Sequence, residues 1–266
     1  MKTLNFLCLG DVIGRTGRKL LNKELLSLRN EKKIDIIIAN GENSAGGLGI
    51  NEKTYNQLLN AGVDIVTLGN HLWDKKGIYD IIEEKKLIRP LNYPYKTAPG
   101  KGVRIYQNLY VDFAVISLLG RVYMPRVPSP FEHITPVLED LKNKGIKIIL
   151  IDFHAEATSE KKAMGFHVDG QVSAIFGTHT HVQTNDDYIL EGGTGYITDI
   201  GMCGDRDSVI GTDKKIILQK FLDSMPKRFE VSANEPMING IIFSINPQTG
   251  KCVKTEKINR VYRRSD

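Results

Sequence analysis

Two histidines, His179 and His181, follow a short apolar run from Val172 to Phe176 in this chain of 266 residues. The run is rich in β-branched and aromatic side chains, which predicts a buried strand that ends at Gly177. In an extended backbone, side chains two positions apart point to the same side, about 6–7 Å from each other. Two imidazoles placed in this way could form half of a metal site, or they could be hydrogen-bonded histidines of an ordinary loop.

Four more apolar runs end at side chains that could bind a metal ion. These ends are Gly10-Asp11, Gly41-Glu42-Asn43, Gly69-Asn70-His71 and Asp152-Phe153-His154. The candidate groups are carboxylates, amides and imidazoles without sulfur, a mixture that favours Mn, Fe or Zn over Ca or Mg. Because they are too many for one tetrahedral ion, we expect two ions that share a bridging carboxylate. Two metals about 3.5–4 Å apart can activate a bridging hydroxide and hold both oxygens of a phosphoryl displacement.

The elements between these motifs alternate between strand and helix over the first two thirds of the chain. Besides 172–176, the predicted strands are 4–9, 35–39, 63–68, 103–110, 112–118, 147–151 and 194–198. The predicted helices are 19–30, 52–61, 75–86, 134–144 and 216–222, with loops at 11–18 and 89–102. Segments 229–231, 239–245 and 253–261 suit antiparallel strands near a sheet edge. This order predicts a layered α/β protein whose ligands gather at the carboxyl ends of its strands.

The composition is that of a soluble globular protein, with 41% hydrophobic and 25% charged residues. No linker or repeat divides the chain, so we expect one domain over residues 1–266. The three cysteines have unrelated spacings and indicate neither a disulfide framework nor a Cys metal site. No signal peptide or membrane-spanning stretch is recognisable, so we expect a cytoplasmic protein without a membrane partner. The net charge of +5 suits an anionic substrate.

Taken together, the motifs resemble those of the calcineurin-like metallophosphoesterases and, more closely, of their YmdB-type bacterial subfamily. The matching segments are Gly10-Asp11-Val12-Ile13-Gly14, Asn40-Gly41-Glu42-Asn43, Thr67-Leu68-Gly69-Asn70-His71-Leu72-Trp73-Asp74, Asp152-Phe153-His154-Ala155-Glu156-Ala157-Thr158-Ser159-Glu160 and Gly177-Thr178-His179-Thr180-His181-Val182-Gln183-Thr184. The resemblance implies a four-layer α/β/β/α sandwich with two metal ions between its sheets. It also implies phosphodiesterase activity on cyclic nucleotides, including 2′,3′-cyclic nucleotides, with 3′,5′-cyclic nucleotides as further candidates.

Carried over residue by residue, the family's pattern implies seven metal ligands and one catalytic histidine. The first metal would be held by Asp11, Asn43 and His181. The second metal would be held by Asn70, His154 and His179. Glu42 would bridge the two ions, and His71 would act near the leaving group.

The chain departs from the wider superfamily at two positions. The usual Asp-x-His after the first strand is Asp11-Val12-Ile13 here, and the usual bridging aspartate is Glu42. Asn43 would replace the missing histidine ligand. Iron, which is often found in this subfamily, is the first expectation for the metal, with Mn or Zn as alternatives.

Two functions from different classes fit these residues. The first is a dinuclear metal phosphodiesterase that acts on a cyclic nucleotide or another small phosphodiester, in a chain that we expect to form a homo-oligomer. The second is a metal-dependent regulatory or RNA-associated binding protein with little turnover. His71 separates them, because a sensor needs no proton donor. A nonspecific nuclease is a weaker third candidate, since the sequence has no long basic stripe with interleaved aromatic residues.

Two groups of side chains outside the motifs have open interpretations. Arg15, Arg18 and Arg121 could contact a phosphate, although solvated surface charge is their ordinary role. Trp73 and Tyr123 could stack on a nucleobase, or they could belong to an aromatic core.

Overall fold

The computed structural model of the protein describes residues 3–94, 98–107 and 111–262. Its strands are β1 (Leu4–Leu9), β2 (Asp11–Val12), β3 (Ile36–Asn40), β4 (Ile65–Thr67), β5 (Leu87–Ile88), β6 (Val103–Tyr106), β7 (Phe113–Leu119), β8 (Ile148–His154), β9 (Ala174–Thr178), β10 (Tyr188–Ile189), β11 (Gly195–Ile197), β12 (Met202–Asp205), β13 (Pro236–Ile245) and β14 (Cys252–Val261). Its helices are α1 (Gly14–Lys32), α2 (Glu52–Asn60), α3 (Pro130–Asn143), α4 (Thr158–His167) and α5 (Lys214–Asp223), with a 3-10 turn at Lys76–Ile78. None of the helices in the described ranges is long and apolar enough to span a membrane.

The strands form two sheets that pack face to face. The first sheet has the order β2-β12-β13-β1-β3-β4-β5 with β14 beside β13, and the second has the order β10-β11-β9-β8-β7-β6. Phe6 of the first sheet meets Phe113 of the second edge to face, with 5.3 Å between ring centroids. Each fully buried side chain of this size contributes roughly 1.5–3 kcal/mol to stability.

Helices cover the outer face of each sheet. Leu21 and Leu25 of α1 and Leu58 of α2 share a core with the first sheet. Leu138 of α3 and Met164 of α4 share another core with the second sheet. The layers are therefore α/β/β/α, and the predicted four-layer sandwich of the metallophosphoesterase type is confirmed.

The parallel strands of the two sheets bring their carboxyl ends to one edge of the sandwich. In the first sheet β1, β3 and β4 run parallel, and in the second sheet β7, β8 and β9 run parallel. The register in the second sheet pairs Leu119 with His154 and His154 with Thr178. Since the five motifs follow these strands, the fold gathers them at that edge.

Helix α1 begins at Gly14, five positions before the helix that the apolar spacing predicts, so the predicted loop at 11–18 is wrong. Its first turns carry small buried residues, Thr16 and Gly17, instead of large apolar ones. A Cβ at Gly17 would lie only 2.2 Å from the carbonyl oxygen of Cys203 in β12. The close packing of α1 on β12 therefore requires glycine at this position. With small residues in its first turns, the helix lacks the apolar spacing from which its start could be predicted.

The predicted helix at 75–86 is also wrong. Only the 3-10 turn at Lys76–Ile78 forms, and separate turns follow it. Backbone amides bond three residues back, from Ile81 to Ile78 and from Glu84 to Ile81. These turns bury Ile78, Ile81 and Ile82, so apolar residues at helical spacing reach the core without a continuous helix.

Three further expectations need correction. Strand β9 continues through Gly177 to Thr178 instead of ending at the glycine. Strand β13 lies in the interior of its sheet between β12 and β1, and not at an edge. The predicted surface loop at 89–102, of which residues 95–97 lie outside the described ranges, contains the fully buried Asn92. Its amide binds Leu119, with 2.9 Å from the Leu119 nitrogen to Oδ1 and 2.8 Å from Nδ2 to the Leu119 oxygen.

Candidate metal centre

Three candidate ligand atoms converge on Nε2 of His154. Oε1 of Glu42 lies 2.8 Å away, Oδ1 of Asn70 2.9 Å and Nδ1 of His179 3.1 Å. These residues come from the ends of β3, β4, β8 and β9, which the topology brings to one edge of the sandwich. A single proton on Nε2 can satisfy only one of the three neighbours, so a cation shared among them fits the arrangement better.

Buried oxygen atoms without hydrogen bonds form the adjacent part of the site. In the described part of the chain, four buried side-chain atoms have no hydrogen bond of ordinary geometry. Three of them are Oδ1 of Asp11, Oδ1 of Asn43 and Oε1 of Glu42, the last of which faces Nε2 of His154 at 2.8 Å. A buried polar atom left unpaired costs about 1–3 kcal/mol, and more if it is charged. Nε2 of His181 lies 3.7 Å from Oδ1 of Asp11, which is too far for a hydrogen bond. A cation among these atoms would satisfy all of them.

His179 and His181 reach the site through a turn and not through extended backbone. Their φ angles are 98° and 63°, in the left-handed region that costs a non-glycine residue about 1–3 kcal/mol. Hydrogen bonds hold the turn: the His179 amide donates to Oδ2 of Asp11 at 3.2 Å, and the Thr180 amide donates to Oδ2 of Asp199 at 3.1 Å. Nδ1 of His181 donates to the Ile210 carbonyl at 2.9 Å, which leaves Nε2 for the site.

A buried hydrogen-bond network fixes the orientation of His154. The Thr178 hydroxyl donates to Oδ1 of Asp152 at 2.6 Å, so its oxygen can accept the proton on Nδ1 of His154, 2.8 Å away. The other Asp152 oxygen accepts from Thr67 and from Asn40. With its proton on Nδ1, His154 turns the lone pair of Nε2 toward the other candidate ligands. The sequence motifs contain all these residues, but their spacing did not indicate this supporting role.

His71 lies at the rim of the site. Its backbone amide donates to Oε2 of Glu42 at 2.9 Å, while Nδ1 of its ring lies 2.7 Å from Oδ2 of Asp74. The ring helps to line a cavity of about 240 Å³ that is also lined by Glu42, Asn43, Glu156, His179, Thr180, His181 and Ile210. His71 is therefore attached to the cluster through its backbone, and its ring is directed by Asp74, a residue that sequence reasoning did not single out.

Comparison with known proteins agrees with this architecture. The model of the YmdB-like protein family matches residues 7–258. The chain belongs to the YmdB-like family. A relative from Bacillus subtilis (strain 168), named 2′,3′-cyclic-nucleotide 2′-phosphodiesterase, is 43% identical over 256 residues, which cover 96% of each chain.

Solved structures extend the comparison. A crystal structure described as a novel phosphatase from Mycoplasma pneumoniae is 36% identical, with a TM-score of 0.92, and the match covers 98% of this chain and 94% of that one. The NAD nucleotidase of Haemophilus influenzae is 15% identical with a TM-score of 0.62, and the match covers 97% of this chain and 56% of the nucleotidase. At that identity the second likeness shows the fold alone.

The buried groups of this YmdB-like chain shift one another's pKa. Burial by itself raises the pKa of Asp11 and of Glu42, but His181 and His154 outweigh it and hold both values below the usual range. Burial lowers the pKa of His154, yet the charge of Glu42 raises it to about 9. Burial and the neighbouring His154 lower the pKa of His179 to about 4. Without a cation His154 holds a proton at neutral pH, which a binding metal ion must displace.

The structure brings all eight predicted site residues into one cluster. Two further charged groups also reach it, Glu156 from the fourth motif and Asp199, which lies outside the five motifs. Oε2 of Glu156 lies 3.1 Å from Nε2 of His179, and Asp199, paired with the buried Lys161 at 2.6 Å, holds the turn that carries the two histidines.

The two aromatic candidates, Trp73 and Tyr123, lie in different environments. Trp73 stacks on Tyr79, with 5.6 Å between ring centroids, and packs against the core. Tyr123 is 90% exposed. The aromatic-core interpretation therefore holds for Trp73 and is wrong for Tyr123.

Proposed function

We propose that this chain is a metal-dependent phosphodiesterase that hydrolyses 2′,3′-cyclic nucleotides, with 3′,5′-cyclic nucleotides as a second substrate class. The observation that carries the proposal is the group of buried oxygens on Asp11, Glu42 and Asn43 without hydrogen bonds of ordinary geometry, of which Oε1 of Glu42 lies 2.8 Å from Nε2 of His154. The name of the Bacillus subtilis relative supports the choice of substrate.

The donor atoms fit two ions. In the proposal Asp11, Asn43 and His181 would hold the first ion and Asn70, His154 and His179 the second, and Glu42 would be shared by both. The donors are oxygen and imidazole nitrogen without sulfur, which suits Fe, Mn or Zn, with iron as the first candidate. When bound, two such ions would activate a water molecule and stabilise negative charge on the phosphoryl oxygens.

His71 supplies the proton for the departing ribose oxygen. Asp74 accepts the proton of Nδ1 at 2.7 Å, which fixes the ring and leaves Nε2 for the substrate. In hydrolysis of a 2′,3′-cyclic phosphate, a water oxygen bonds to phosphorus and releases a proton to solvent, the bond from phosphorus to O2′ breaks, and O2′ takes a proton from His71. Solvent then returns a proton to His71. The product is the 3′-monophosphate. General acid help of this kind typically contributes about 10²–10⁴-fold to the rate.

The test is turnover by protein loaded with Fe, Mn or Zn on a panel of 2′,3′- and 3′,5′-cyclic nucleotides. We expect release of monophosphate from the 2′,3′-cyclic substrates, and lower or no activity on the same substrates after chelation. Tight binding of intact cyclic nucleotide without turnover, with every metal, would contradict the proposal. It would support the alternative of a metal-dependent regulatory or RNA-associated binding protein, which the His71–Asp74 pair does not favour.

A further inference from the structure

A cationic groove lies between α1 and α2. It encloses about 590 Å³ and is lined by Arg15, Arg18, Lys19, Asn22, Lys53, Gln57 and Asn60. Four of these side chains are cations, the other three are amides, and none is a carboxylate. The groove therefore offers hydrogen-bond donors and positive charge, which is the lining that a phosphate chain requires.

The cations of the groove lack acidic partners, whereas the cations at the other end of α1 have them. In the described residues no ion pair involves Arg15, Lys19 or Lys53, and Arg18 binds only the neutral side chain of Gln57 and a carbonyl oxygen. Farther along the same helix, Arg29 pairs with Asp64 and Lys32 pairs with Glu256, each at 2.7 Å.

The position of these cations raises the free energy of the unliganded protein, because no acidic partner offsets their charge. Arg15, Arg18 and Lys19 follow the N-terminus of α1, where the helix dipole already places positive charge and where the first turn contains no acidic residue. Partial burial and the adjacent Arg15 lower the pKa of the Arg18 guanidinium from its usual value. A bound polyanion would relieve this repulsion, and no described carboxylate of the groove does so.

The groove is joined to the candidate metal centre through the backbone. The Gly14 amide donates to the Asn43 carbonyl at 2.9 Å, and the Arg18 guanidinium donates to the Ser44 carbonyl. The glycine loop that follows has φ angles of 75° at Gly46 and 97° at Gly47, and a Cβ at Gly46 would meet nothing within 4 Å. Because glycine has no Cβ, a ligand chain can approach the backbone of this loop closely.

We propose that the groove binds the backbone phosphates of a single-stranded oligoribonucleotide whose 3′-terminal 2′,3′-cyclic phosphate lies in the metal cavity. The inference rests on the proposed function and names a larger substrate for the same site. Such ends form when a ribose 2′-hydroxyl attacks the adjacent phosphodiester and expels the next nucleotide. The reaction that supplies this substrate is therefore RNA cleavage by internal transesterification. The chain lacks a basic stripe in its sequence, but folding assembles one from two helices.

Binding is tested with a 5′-fluorescein tetra-adenylate that ends in a linear 3′-phosphate, by fluorescence anisotropy. We expect the double variant Lys19→Glu/Lys53→Glu to weaken binding at least 10-fold. The matched control Lys142→Glu/Lys251→Glu reverses two exposed charges away from the groove and should bind like wild type. Raising salt from 50 to 200 mM should weaken wild-type binding roughly 20-fold if three phosphates are neutralised. Equal affinity of wild type and the groove variant, both with native circular dichroism, would overturn the inference.

Turnover separates this inference from the proposed function. We expect kcat/KM for a tetranucleotide with a terminal cyclic phosphate to exceed that for adenosine 2′,3′-cyclic phosphate at least 10-fold at 50 mM salt. The ratio should fall towards one in the groove variant and remain high in the control. If the mononucleotide is hydrolysed and the wild-type ratio of the two kcat/KM values is one, the groove inference is wrong and the proposed function stands. If neither substrate is hydrolysed, the proposed function fails, and the anisotropy experiment still decides the groove.

Discussion

At the scale of single residues, the site depends on which atom of each side chain faces the cavity. Thr178 accepts from Nδ1 of His154, Ile210 accepts from Nδ1 of His181 and Asp74 accepts from Nδ1 of His71. In all three histidines the partner on Nδ1 leaves Nε2 for the site. For His154 and His181 this presents a lone pair to a cation, and for His71 it presents an atom that can carry a proton to substrate.

The proton-donor role that we propose for His71 predicts a dependence on the leaving group. His71→Ala should lower kcat on a 2′,3′-cyclic nucleotide about 10²–10⁴-fold with metal content unchanged. The loss should shrink for bis(p-nitrophenyl) phosphate, because nitrophenolate departs without a proton. Asp74→Asn should show the same trend with a smaller loss. Equal losses for both substrates would mean that His71 only positions the phosphate.

The residues that converge at the candidate site could be predicted because they occur in short motifs directly after apolar strands. Their geometry could not. Alternation predicted that His179 and His181 point the same way from extended backbone, whereas both adopt positive φ. That conformation depends on bonds to Asp11 and Asp199, which are distant in sequence. The network of Thr178 and Asp152 was missed for the same reason, since only the folded chain places it behind His154.

At the scale of elements, the strand ends are held together by very close packing at glycine. A Cβ at Gly69, just after β4, would lie 2.3 Å from Cδ2 and 2.5 Å from Nε2 of His154 at the end of β8. The two sheets approach at this point because glycine leaves room for the imidazole. Strands with continuous apolar runs, such as 4–9, were predictable from the sequence. The first five residues of α1 and the turns of the 75–86 segment were not, because close packing at Gly17 and local turn geometry decide the backbone there, and not the spacing of apolar residues.

The close approach of Gly69 to His154 predicts that a substitution of Gly69, which is not a candidate ligand, will affect the site. Gly69→Ala should push the His154 ring out of place, reduce the metal content after loading and destabilise the fold by about 1–3 kcal/mol. Gly77→Ala is the control, because its nearest neighbour would be Cβ of Asn51 at 3.1 Å. Elemental analysis and thermal unfolding measure both effects. Metal content equal to wild type in Gly69→Ala would show that the strand ends can separate without affecting the site.

At the scale of the whole molecule, the core between the sheets joins distant parts of the chain. Phe6 near the N-terminus shares it with Phe113 and Phe176, and with Phe243 near the C-terminus. We therefore propose that the chain folds as one domain. Limited proteolysis should cut first within 89–102 or 124–130, and it should not release two halves that remain folded. Recovery of two stable fragments with separate unfolding transitions would contradict a single domain.

Helix α5 supports the expectation of a homo-oligomer. Ile217 is buried, but Leu218, Phe221 and Leu222 are exposed at 57%, 81% and 86% at the spacing of one helical face. Met225, just beyond the end of the helix, is 58% exposed. Exposed apolar patches of this kind mark interaction surfaces. We expect wild type to be an oligomer in light scattering and Phe221→Ser/Leu222→Ser to have a smaller mass, with Lys215→Ser unchanged. A monomeric wild type, or a double variant of unchanged mass, would contradict the prediction that α5 forms the contact between chains.

The central claim is that Glu42 bridges two metal ions. Its most direct test is metal stoichiometry, measured by elemental analysis after loading with excess Fe, Mn or Zn and removal of free metal. We expect about two ions per chain in wild type, because six ligand residues around one shared carboxylate suit a pair of ions. We also expect a lower content in Glu42→Ala than in His181→Ala, since only the bridge serves both ions. A wild-type content that stays at or below one ion under saturating metal would contradict the account.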